Sequence, residues 1–160
     1  MVDPLKNRTT FNTSAEAYNK YRPKYPEQLF DDLVKHANLE SHANLLEIGP
    51  GTGQATTSLA KRGYVITAIE LGPEMAAIAR RELKAFTNVV VTTGDFEDIE
   101  LPLSAYDLVY SATAFHWLNP ETRFTKPHQL LKSDGHLAII HTHHIRDGRN
   151  EEFYLASRPI

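Results

Sequence analysis

The densest chemistry in the chain lies in LLEIGPGTGQAT, residues 45–56. A short apolar run stops at Gly49, three glycines alternate with Pro50 and Thr52, and helix-compatible residues follow from Gln54. Glycines at such a point let the chain turn sharply and let a ligand approach the backbone with no Cβ in the way. A helix N-terminus just beyond adds free N–H groups and the positive end of a dipole. The spacing narrows the ligand. A dinucleotide fingerprint, Gly-x-Gly-x-x-Gly, needs glycine at 54, where this chain has Gln54. Twenty-one residues after Gly49 comes Glu70, which ends a β-branched run. A carboxylate there can accept hydrogen bonds from both hydroxyls of a ribose. Gly94-Asp95-Phe96 ends a third such run. Asp95 can accept from an adenine amine while Phe96 covers the ring, with Met75 or Leu71 on the other side. The plainer alternative makes Asp95 a turn cap and Phe96 a core residue. Together the three features point to an adenosine-containing ligand.

Other side chains carry weaker signals. His116, beside Trp117, has the ionisation range of a general base, but a histidine that only shapes a pocket wall fits the sequence as well. Arg22 could pair a substrate carboxylate or simply stack on Tyr21. His141 and His143 share a strand face, with His144 and Asp147 near them. With no cysteine to join them, they read as a solvated strand end, and no metal is expected.

The elements that must position these residues follow from periodicity. A short helix is expected near 14–20, followed by a loop. Pro26 opens a helix over 26–38 with Leu29, Phe30, Leu33, Val34 and Ala37 on one face. Strands are expected over 44–48, 64–70, 88–92, 106–111 and 135–142, the last after an Asp134-Gly135 turn. Helices are expected over 53–62, ended by Gly63, and from Pro73 through Leu83. Another, capped by Asn119 before Pro120, should span about 120–131, with Pro127 kinking it or delaying its start. Strands alternating with helices, in near-continuous apolar runs, predict a doubly wound α/β fold with a mostly parallel sheet. Ligands in such sheets bind at the carboxyl ends of the strands, beside the first one.

Composition sets the outer bounds. The chain has 160 residues, 41% hydrophobic and 23% charged, which suits one soluble globular domain. Zero cysteines exclude disulfides, thiolate-bound zinc and thiol catalysis, and fit a reducing, cytoplasmic setting. A net charge of −3 leaves no footprint for general nucleic-acid binding. The apolar runs are too short to cross a bilayer, and the first residues have no apolar core of a secretory signal.

Across residues 14–142 the chain resembles class I S-adenosylmethionine-dependent methyltransferases of the type 11 family. The resemblance runs through LLEIGPGTGQAT, AIELGPEM, GDFEDIELP, YDLVYSATAFHWL and LLKSDGHLAI, in order. AEAYNKYRPKYP and FHWL are similar to a subgroup of trans-aconitate methyltransferase-like enzymes acting on small metabolites. The resemblance implies strand order 3-2-1-4-5, S-adenosylmethionine as cofactor and S-adenosylhomocysteine as product. It implies that Glu47, Gly49, Gly51 and Gly53 line the methionine end, that Glu70 holds the ribose, and that Asp95 and Phe96 hold the adenine. Residues around Ser111 would face the sulfonium, and Tyr18, Tyr21 and Arg22 would close over the cofactor. The acceptor would be a small molecule with a carboxylate or a planar ring, with no nucleic acid or membrane as partner. A nicotinamide-dependent oxidoreductase, or a non-catalytic adenosine-binding protein of the same fold, are the competing readings.

Length qualifies this picture. Residues 1–160 are expected to form a single domain, with an N-terminal helical cap (1–40), a cofactor-binding core (41–144) and the start of a shortened C-terminal part (145–160), where EEFYLA could begin a helix. The family's closing antiparallel hairpin is expected to be missing. The fifth strand would then be an open edge, so the expectation is a fragment of a longer enzyme or a homodimer covering that edge.

Overall fold

The computed structural model describes residues 15–142. The expected cap before residue 15, His143, His144, Asp147 and the 151–156 segment lie outside them. The elements run α1 (Ala15–Tyr21), α2 (Glu27–His36), β1 (Asn44–Ile48), α3 (Gln54–Ala60), β2 (Val65–Glu70), α4 (Pro73–Glu82), β3 (Val89–Thr93), β4 (Tyr106–Ala112), α5 (Thr125–Leu130) and β5 (Leu131–Ile140), with a 3-10 turn at Phe115–Trp117. The five strands form one parallel sheet in the order β3-β2-β1-β4-β5.

The apolar runs of the central strands are continuous because both faces are covered. On β1, Leu45 packs into one core with Phe30 of α2, Leu59 of α3, Ile66 and Leu108. Its neighbours Leu46 and Ile48 enter a second core with Ile69, Val109, Phe115 and Leu130 of α5. Adjacent residues of one strand thus feed opposite layers, which is the period-2 geometry of a strand. A third cluster joins Ala15 of α1 to Met75 and Ile78 of α4. Glu16 pairs with Arg81 across the same seam at 2.6 Å, which lays the N-terminal segment over the strand ends.

Two local expectations are corrected. The helix expected from residue 120 starts at Thr125. Asn119 does cap, but it caps a turn: its Oδ1 accepts from the Glu121 N–H and its carbonyl from the Thr122 and Arg123 N–H groups. Pro127 then falls in the first turn of α5, where its missing N–H costs no helical bond. The fifth strand begins at Leu131 rather than 135. The Asp134-Gly135 turn becomes a bulge inside it: Tyr106 pairs Leu131 and Leu108 pairs His136, so one residue of β4 faces four of β5. A Cβ on Gly135 would lie 2.9 Å from the Tyr106 carbonyl oxygen, so glycine is what lets the bulge fold tightly.

Candidate active site

A cavity of about 490 Å³ opens at the carboxyl ends of the strands, where order reverses beside β1. Its first wall is the glycine loop. Gly49 and Gly51 both take left-handed backbone, φ +69° and +60°. A Cβ on Gly49 would sit 2.5 Å from the Ala114 Cβ, so the loop after β1 touches the exit of β4 only because residue 49 has none. At Gly51 a Cβ would meet nothing nearer than 3.7 Å, the Met75 Cε and the Tyr18 Cε1, and that space belongs to the cavity.

Two buried carboxylates flank this loop. Glu70 ends β2 and binds across it: Oε2 accepts from the Gly51 N–H and Oε1 from the Gly72 N–H, each at 2.9 Å. Each carboxylate oxygen has a further lone pair to offer. Burial raises the Glu70 carboxyl above its ordinary value, opposed by these backbone donors. Glu47, on β1, is fully buried. Its Oε2 accepts from Thr56 Oγ1 at 2.6 Å and from Tyr110 OH at 2.7 Å, while Oε1 has no partner among the described residues. Burial pushes Glu47 up to about 7 against those two hydroxyl donors.

The opposite wall comes from β4, β5 and the N-terminal segment. Thr113, just past β4, holds φ +60°, a strained conformation for a β-branched residue. It is held from several sides. Its N–H donates to the Ile140 carbonyl, its Oγ1 donates to the Ala112 carbonyl, and Arg22 Nη2 donates to Oγ1 at 2.8 Å. Tyr25 OH lies 3.2 Å from the same oxygen, and the Arg22 guanidinium lies 5.3 Å from the Tyr18 ring. His116 and His141 meet edge to face, with ring centroids 6.3 Å apart. Partial burial, then the charge of His141, holds the His116 pKa below its ordinary value, so it is a neutral imidazole near neutral pH. Among the described residues no group of three or more metal-ligating side chains comes together.

The family follows from the chain itself: a profile described as "Methyltransferase domain" matches residues 46–139. The chain belongs to this methyltransferase family. An uncharacterized methyltransferase of Mycobacterium tuberculosis is 31% identical over 131 residues, covering 82% of this chain and 51% of that protein. Among solved structures, an S-adenosylmethionine-dependent methyltransferase from Aquifex aeolicus is 22% identical with TM-score 0.68, covering 85% of this chain and 76% of its own. A phosphoethanolamine N-methyltransferase from Haemonchus contortus, in complex with S-adenosyl-L-methionine, is 19% identical with TM-score 0.71, covering 96% and 40%. The chain spans about half the length of the relatives it matches. The expected α/β fold and strand order 3-2-1-4-5 are those of this methyltransferase fold.

Most of the residues singled out in the sequence line one cavity: Tyr18, Arg22, Glu47, Gly49, Gly51, Glu70, Leu71, Met75, Phe96 and His116. Three do not. Gly53 lies behind the loop, where a Cβ would come within 2.9 Å of the Leu83 Cδ1, so it serves the packing of α3 on α4. Asp95 Oδ1 accepts from the Glu97 N–H, the turn-capping alternative, and only its neighbours Gly94 and Phe96 reach the cavity. Ser111 is fully buried and donates to the Ile48 carbonyl, tying β4 to β1; the wall is made by Ala112, Thr113 and Ala114 instead. Sequence reasoning missed Thr56 and Tyr110, which hold Glu47, and Thr113, which anchors Arg22. His141 is exposed just past the end of β5, as expected of a solvated strand end, and it also borders the cavity.

Proposed function

We propose that this chain binds S-adenosylmethionine and transfers its methyl group to a small-molecule acceptor carrying a carboxylate or a planar ring. One arrangement carries the reading: a glycine loop with open space at Gly51, bracketed by Glu70 and by a Glu47 whose Oε1 has no partner among the described residues. The cavity volume lies within the roughly 300–1,000 Å³ of small-molecule sites. The outward lone pairs of Glu70 suit a ribose diol, the Oε1 of Glu47 suits the ammonium of a methionine, and Phe96, Leu71 and Met75 offer an apolar slot for a purine. The cofactor supplies a methyl group on a sulfonium, whose departure leaves a neutral thioether.

The chain's own residues then have to position and exclude. Thr113 to Ala114 set how near an acceptor comes to the glycine loop, and Tyr18, Arg22 and Tyr25 cover it from the N-terminal side. Alignment of reacting atoms is the main catalytic resource for a displacement that needs no covalent intermediate. Where the acceptor loses a proton, the neutral imidazole of His116 accepts it. The reading takes a small molecule rather than nucleic acid or a membrane as partner, a cytoplasmic setting, and a second copy of the chain against the outer edge of β5. No helix among the described residues is long and apolar enough to cross a membrane. Isothermal titration with S-adenosylhomocysteine and with NAD tests the core of it. S-adenosylhomocysteine should bind and NAD should not; tight NAD binding with no S-adenosylhomocysteine binding overturns the proposal in favour of an oxidoreductase.

A further inference from the structure

Five arginines fall among the described residues, and four are hydrogen-bonded: Arg22 to Thr113, Arg62 to Glu27 and Asp31, Arg80 to Thr93, and Arg81 to Glu16. Arg123 differs. Its Nε is buried with no hydrogen-bond partner among the described residues. Its guanidinium lies over two rings, 5.3 Å from the centroid of Phe124 and 6.0 Å from that of Phe115. A guanidinium held beside aromatic rings keeps its terminal N–H groups for a planar oxyanion. Leaving a buried donor unpaired is costly, so such an edge asks for an acceptor.

Arg123 borders a second hollow of about 190 Å³, walled also by Phe115, Phe124, Thr113, His116 and His141. Thr113, His116 and His141 border the main cavity as well, so the two spaces share a wall. The carboxylates Glu47 and Glu70 stand at β1 and β2, whereas Arg22, bound to Thr113, and Arg123 stand at the exit of β4 beside the imidazoles of His116 and His141. A ligand lying across the shared wall would meet donors and cations at this end, with aromatic faces beside them.

We infer that the Arg123 hollow is a subsite for the carboxylate end of a planar organic acid, with the aromatic body against Phe115 and Phe124. The inference rests on the methyltransferase reading and deepens it by placing the acceptor's charged group. Arg123 offers the terminal N–H groups of its guanidinium to the carboxylate, and the imidazole of His116 offers one more. Arg123 is then a specificity-determining residue, outside the cofactor loop.

The test uses the whole chain, with benzoate as probe and benzamide as its neutral counterpart, at constant ionic strength. Imidazole resonances of His116 and His141 are followed by NMR, assigned through H116Q and H141Q. Benzoate should shift both histidines and benzamide should not. R123Q should bind benzoate about tenfold or more weakly, as expected for loss of a charge-assisted pair. R123K should recover part of the affinity. S-adenosylhomocysteine affinity should stay unchanged in both variants, which also reports that they are folded. Equal binding of benzoate and benzamide, or unchanged benzoate affinity in R123Q, overturns the subsite. So does absence of benzoate binding while S-adenosylhomocysteine binds. Benzoate binding that depends on Arg123, in a chain that fails to bind S-adenosylhomocysteine, supports the subsite and overturns the methyltransferase reading instead.

Discussion

The two sides of the cavity are built by different means. At β1 and β2 the wall is mostly backbone: left-handed glycines, N–H groups aimed at Glu70, and carboxylates with their hydroxyl and amide donors in place. At β4 and β5 it is mostly side chain: Thr113, His116, Trp117 and His141, joined by Arg22 and Tyr25 from the N-terminal segment. A backbone wall fixes one ligand shape, because the positions of N–H groups are set by dihedral angles that few residues can adopt. A side-chain wall can change its chemistry one residue at a time without disturbing the sheet beneath it. Such a division suits a constant cofactor on one side and a variable acceptor on the other.

The sharpest way to break the first side is G49A. The added Cβ meets the Ala114 Cβ at 2.5 Å, and the residue must still hold φ +69°. Left-handed strain and overpacking together should cost roughly 2–5 kcal/mol of stability, read as a lower urea midpoint, with S-adenosylhomocysteine binding lost. Adding A114G should return only the packing share, because the dihedral strain remains. If G49A binds S-adenosylhomocysteine as the parent chain does, the close contact of the glycine loop with the β4 exit is not what shapes the cofactor wall.

A second measurement asks how that wall responds to pH. The Glu47 carboxyl is raised by burial from its ordinary 4.5 to about 7, so between those values the native state holds a proton that the unfolded chain has released. A raised carboxyl pKa stabilises the fold fully below the unfolded value, and the contribution is lost as pH rises toward the native one. Stability should therefore fall from about pH 4.5 to about pH 7 and level off above, by at most about 3 kcal/mol from this group. E47Q, neutral throughout, should flatten that slope in urea titrations at pH 5, 6, 7 and 8. An unchanged slope in E47Q would place the pH response elsewhere. The His116 wall should respond with the opposite sign: burial and then His141 lower its pKa, so its contribution is lost as pH falls below the ordinary histidine value.

The same division decides what could be read from the chain alone. LLEIGPGTGQAT and the acid closing the next strand are contiguous stretches whose residue types have few other uses, so Gly49, Gly51 and Glu70 were visible by spacing, and Glu47 through the family resemblance. The strands were visible too, since burial on both faces writes unbroken apolar runs. What sequence does not display is contact between distant segments. Arg22 and Thr113 are 91 positions apart, and Tyr110 and Glu47 are 63 apart. Nothing local marks Tyr110 as a donor to a buried acid. Ser111, by contrast, sits one residue short of the wall, turned into the sheet toward Ile48, and strand alternation cannot say which end residue faces a ligand. The approach of His141 to His116 was not legible either, because the two residues follow different strands.

Thr113 offers the smallest and most specific test of the side-chain wall. Its left-handed backbone is unfavourable for a β-branched residue, yet it is tied by its N–H to Ile140 and by its hydroxyl to Arg22 and Ala112. T113A and T113G both remove the hydroxyl, so they lose the same hydrogen bonds. Only T113G also removes the Cβ that makes φ +60° costly. Glycine's greater freedom in the unfolded chain offsets part of that relief, leaving T113G more stable than T113A by about 0.5–1 kcal/mol. At an unstrained position the order reverses, because alanine is then the better residue. The sign of the difference in urea midpoint therefore tells whether the β4 exit is held under strain by its ties to Arg22 and Ile140, or rests there unaided.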